Sequence, residues 1–137
     1  MQKTPILFAS LLVLALPGCK SKETPAPNGG LDGTWRLTNR QCDCPMIMAL
    51  PNETLTLTDN TFAFISNGQV GLRGSYAQVS ASPRCIVTGG PAPTLRMSSP
   101  TWNMRPTEVQ YTLAGNTLTL DYGGPCDAPV DTYRRLP

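Results

Sequence analysis

The sequence predicts an all-β domain, a small up-and-down antiparallel β-barrel of about eight strands. Three observations carry this. Many short segments alternate apolar and polar residues with period two. Gly, Asn, Asp and Pro fall between those segments. No long window beyond the N-terminal stretch repeats with the 3.6 period of a helix.

The first strand is Thr34 to Thr38, with Trp35 and Leu37 on one face. Glu53 to Thr58 places Leu55 and Leu57 inward and three Thr outward. Asp59-Asn60 is a two-residue turn signal leading into Thr61 to Ile65. Val70 to Val79 is longer and is broken by Gly71 and Gly74, which predicts a bend or bulge. Cys85 to Thr88 and Thr94 to Met97 are weaker candidates. Glu108 to Leu113 alternates through Val109, Tyr111 and Leu113, and Gly115-Asn116 then turns into Thr117 to Tyr122. Val130 to Leu136 closes the chain, and Met46 to Leu50 could form a single helical turn. Sequential hairpins favour a barrel over a sandwich, because closure removes exposed edges.

Ahead of this domain lies an address. Lys3 precedes Ile6 to Leu16, an apolar run interrupted only by Ser10. The run is too short to span a bilayer, which takes about 20 residues. It fits the apolar region of a secretory signal, residues 1–18. The ending Leu16-Pro17-Gly18-Cys19 resembles the bacterial lipobox. That resemblance implies cleavage before Cys19, diacylation of its thiol and acylation of the new amine. Several acyl chains, at about 0.8 kcal/mol per buried CH₂, make release from a membrane negligible. Residues 19–30 then form the lipidated Cys and a polar tether containing two Pro and two Gly. Lys20 follows the Cys where Asp would retain enteric lipoproteins, so the resemblance implies an outer-membrane destination.

The chain has 137 residues, a formal charge of +2, five Cys and no His. Without His there is no Ser-His-Asp or Cys-His catalysis, no His-ligated metal and no imidazole switch. All three Lys precede residue 31. The domain, residues 31–137, carries eight Arg against eight acids and is neutral. Its Arg are scattered, so no nucleic-acid surface is expected. The acids Asp43, Glu53, Glu108, Asp121, Asp127 and Asp131 are dispersed, and no catalytic pair follows from their spacing. Gly89-Gly90 and Gly123-Gly124 precede Pro and read as turns. The expectation is a protein that is not an enzyme and needs no cofactor.

Gly33-Thr34-Trp35 opens the first strand, and the last strand carries Tyr133-Arg134-Arg135. This resembles the lipocalin (calycin) pattern, a G-x-W at the first strand with a late Arg packed across the Trp. Alternation from Tyr133 favours Arg135 for that role, with Arg134 the other candidate. The chain is similar to small lipocalin-like lipoproteins of Bacteroidetes type. The resemblance implies that the long first loop, Asn39 to Asn52, lies over the barrel mouth. Met46 and Met48 would then cover apolar mouth surface, and Trp102 would be a contact residue or a cap on the barrel.

Cys42, Cys44, Cys85 and Cys126 form an even set in an exported domain, which predicts two disulfides. A Cys42–Cys44 bond encloses one residue and is strained. Each is therefore expected to pair outward, one to Cys126 across the barrel seam and the other to Cys85. Cys42, Cys44, Met46 and Met48 also offer soft ligands for Cu(I), but oxidised pairing is favoured and no metal is expected. Three functions follow. The first is a lipid-anchored module binding a small apolar ligand. The second is an envelope copper or stress sensor using the Cys/Met-rich loop. The third is a purely structural or interaction protein with a filled barrel.

Overall fold

The computed structural model describes residues 30–43, 49–82, 85, 90–101 and 107–137. Eight strands form one closed antiparallel barrel in sequence order. They are β1 Gly33–Gln41, β2 Glu53–Thr58, β3 Thr61–Ser66, β4 Gln69–Ala81, β5 Ala92–Ser98, β6 Thr107–Ala114, β7 Thr117–Asp121 and β8 Val130–Arg135. The domain is all-β with a lipocalin-like up-and-down barrel. β8 returns to pair with β1, so no strand is left with an open edge.

The hairpins follow turn chemistry. Asp59 and Asn60 both take positive φ, 47° and 63°, as a two-residue β2–β3 turn needs. Asn67 and Gly68, at 51° and 77°, do the same between β3 and β4. β4 bends where its glycines stand. The β3–β4 ladder slips between Ala63 and Ile65, opposite Gly71 and Leu72. At Gly74 an added Cβ would lie 1.9 Å from the Ser98 carbonyl oxygen, so only glycine permits that approach. β5 starts earlier than its alternation suggests and takes in Pro93. Pro93 precedes the first β5–β6 pair, Thr94 with Gln110, at a strand start where a missing N–H is tolerated.

The core runs down the barrel axis. Trp35, Leu55, Leu57, Leu95, Met97, Val109, Leu118, Leu120 and Tyr133 are fully buried. Leu37, Phe62 and Tyr76 join them. At about 1.5–3 kcal/mol for each large apolar side chain, this packing dominates stability.

The disulfide expectation is corrected. Cys126 bonds to Cys85, with Cα atoms 5.6 Å apart. The bond links the connection after β4 to the one after β7. Gly123 makes room: a Cβ there would sit 3.1 Å from the Cys85 Cβ. Cys42 is also disulfide-bonded. Its partner is neither Cys85 nor Cys126 and lies outside the described residues. The seam therefore closes without the expected cross-link. The β1–β8 ladder from Trp35 with Arg135 to Gln41 with Val130 does that work.

Candidate functional site

One end of the barrel is plugged. Trp35 is completely buried and donates from its indole nitrogen to the Leu31 carbonyl at 2.9 Å. The Arg135 guanidinium lies over the Trp35 ring, 4.1 Å from its centroid. Arg135 also donates to the Asp32 and Gly30 carbonyls, which fixes the incoming chain. Gly33 has a φ of 144°, and a Cβ there would meet Arg135 Nη1 at 2.6 Å. The G-x-W spacing thus has a local cause: glycine clears the guanidinium that covers the Trp.

A cavity lies toward the opposite end. A pocket of about 400 Å³ opens there, lined by Phe64, Leu72, Met97 and Tyr122 among its apolar walls. Arg40, Glu53 and Asp131 supply its polar part. The exposed Leu50 and Val70 lie just before β2 and at the start of β4, strand ends that meet at this side of the barrel.

A bulge positions the polar group. Along β1, Leu37 pairs with Tyr133, but Asn39 pairs with Thr132, so Thr38 is an extra residue. Its hydroxyl donates to the Thr132 carbonyl at 3.0 Å. Simple alternation from Trp35 and Leu37 would turn Asn39 inward. The bulge inverts the phase, leaves Asn39 exposed and brings Arg40 opposite Asp131.

Arg40 grips Asp131 with two bonds, Nε to Oδ1 and Nη2 to Oδ2, both 2.7 Å. Its Nη2 lies 3.6 Å from Glu53 Oε1. Tyr133 donates its hydroxyl to Glu53 Oε1 at 2.8 Å. Ser66 donates to Glu53 Oε2 over a longer 3.4 Å. The bidentate bond to Asp131 holds the Arg40 guanidinium even more firmly charged than usual. Burial pushes the Tyr133 and Tyr122 phenols above their ordinary range, so both stay neutral, with Tyr133 donating to Glu53. Among the described residues, no buried side-chain nitrogen or oxygen lacks a partner.

Sequence reading located the plug but not this group. Trp35, Gly33 and Arg135 meet as the motif implies, whereas Arg134 faces outward and is exposed. Cys19, Cys44, Met46, Met48 and Trp102 lie outside the described residues, as do residues 1–29 and most of the Met46 to Leu50 turn. The dispersed acids are corrected in one respect: Glu53 and Asp131, far apart in sequence, share Arg40. Two of the three were signalled. Glu53 shares the phase of Leu55 and Leu57, and Asp131 that of Tyr133, so both were polar residues at inward positions.

No family model, curated protein or solved structure matches this chain. Among the described residues its cavity combines apolar walls with a fixed polar group.

Proposed function

We propose that this chain is a lipid-anchored lipoprotein of the bacterial outer membrane, held by acylated Cys19, whose barrel binds a small ligand with an apolar body. The observation that carries the binding reading is the pocket of about 400 Å³ between Phe64, Leu72, Met97 and Tyr122. Its size falls in the lower range of small-molecule sites, about 300–1,000 Å³. The plugged end supports the anchor geometry. The chain enters beside Trp35, so a tether from Cys19 joins the barrel at the end away from the pocket. The role is binding, not catalysis. The copper-sensing reading is weaker, because Cys42 is in a disulfide and offers no thiolate.

Two measurements test this. Intact-mass spectrometry of protein from native envelopes should report a chain starting at acylated Cys19. An unacylated chain, or one retaining Met1, would overturn the anchor. Titration with an environment-sensitive apolar dye should show saturable binding, weakened at least about tenfold (about 1.4 kcal/mol) by Leu72→Trp, which fills the pocket. Equal binding by that folded variant would overturn the pocket as the ligand site.

A further inference from the structure

We propose that the pocket selects a small organic cation, an ammonium group on an apolar body, with Glu53 as its anchor. This rests on the pocket reading above and names the ligand class it takes.

The charges in the pocket do not cancel. Arg40 brings one positive charge against the carboxylates of Asp131 and Glu53. Arg40 is committed to Asp131, whose side chain is 2% exposed, by two short bonds. That pair neutralises itself. Glu53 is left with a neutral Tyr133 hydroxyl, a long Ser66 contact and the edge of the guanidinium at 3.6 Å. Among the described residues, no second cation lines the cavity.

An ionised carboxylate offers about four acceptor sites. Glu53 Oε2, with its 3.4 Å bond from Ser66, retains capacity toward the pocket. An ammonium supplies three donors and the missing positive charge. Between apolar walls that charge pair is screened less than in water. Phe64 and Tyr122 are among the lining residues, and aromatic rings favour a cation over an anion.

The same arrangement disfavours an anion. A ligand carboxylate would face Glu53 and Asp131, and the guanidinium that could receive it is already engaged. A neutral alcohol gains the walls and a single hydrogen bond to Glu53, without the charge attraction. The pocket therefore ranks an amine above its alcohol, and the alcohol above its acid.

Calorimetry on the full chain with phenethylamine, 2-phenylethanol and 3-phenylpropanoate tests the ranking. The amine should bind about tenfold tighter than the alcohol, and the acid should be weakest. Glu53→Gln removes the charge but keeps an acceptor oxygen, so it should bring the amine down to the alcohol and change the alcohol far less than the amine. An acid that equals or exceeds the amine overturns the proposal, as does an amine preference that survives Glu53→Gln. Should that variant not fold, the native-chain series decides alone. Binding of all three without preference overturns only the cation selectivity. Binding of none overturns both this inference and the pocket reading.

Discussion

Three of the four tyrosines are held neutral by their surroundings, and that has a consequence in alkali. Tyr76 is buried, and burial followed by the nearby Asp32 carboxylate pushes its phenol up to about 12. Its hydroxyl donates to Asp32 Oδ1 at 3.3 Å. Burial raises Tyr122 and Tyr133 as well. A tyrosine in the unfolded chain ionises near about 10. Above that pH the unfolded chain has released protons that the barrel retains. Stability contributed by these phenols is therefore complete below about pH 10 and lost as pH climbs toward the folded values. Urea midpoints should be flat with respect to these groups up to about pH 10 and then fall, with phenolate absorbance rising as the barrel unfolds. Ionisation of all the tyrosines near about 10 in a still-folded barrel would contradict the burial argument. The residues themselves were legible as core, because Tyr76, Tyr122 and Tyr133 keep phase with apolar neighbours. Their hydrogen-bond partners were not, because Asp32 and Glu53 reach them only through barrel closure.

At the scale of elements, the β1–β8 seam joins backbone pairing to a charged clasp. Arg40→Leu would leave Asp131 buried without its partner. Breaking a buried pair from one side costs about 3–5 kcal/mol. Arg40 is 29% exposed at its side chain, so the lower end of that range applies. Arg40→Leu combined with Asp131→Leu removes both charges and should recover most of the loss. Denaturant unfolding of the two singles and the double provides the cycle, and a double variant less stable than either single would count against the clasp. This seam also marks what strand reading can and cannot reach. Strand positions follow from alternation and turn residues, both local, and β2, β3, β6 and β7 lie almost where those signals put them. Arg40 was hidden because the bulge at Thr38 reverses its phase, and a bulge is set by the partner strand. The Asn67-Gly68 turn carries the same two-residue signal as Asp59-Asn60 and is equally local. Disulfide pairing lay beyond local patterns altogether. Loop proximity in a closed, tilted sheet depends on how every strand is staggered.

At the scale of the whole molecule, the Cys85–Cys126 bond and the barrel stabilise by different routes. Closure of the sheet and burial of the core act in the folded state. The disulfide spans 41 residues and acts largely by restricting the unfolded chain. For a loop of that length the chain-entropy relation gives about 4 kcal/mol. Replacing both residues, Cys85→Ser with Cys126→Ser, should lower the unfolding free energy by about that amount. The denaturant slope should rise slightly, because a freed chain exposes more surface when unfolded. Neither Cys lines the pocket, so the folded double variant should keep its ligand affinity. The β1–β8 ladder closes the barrel independently of the bond, so far-ultraviolet dichroism should still report an intact sheet. A loss below about 1 kcal/mol would show that the linked connections are already restrained without it. Loss of the sheet itself would mean that the bond is needed to hold the barrel closed, and that the ladder and core are insufficient alone.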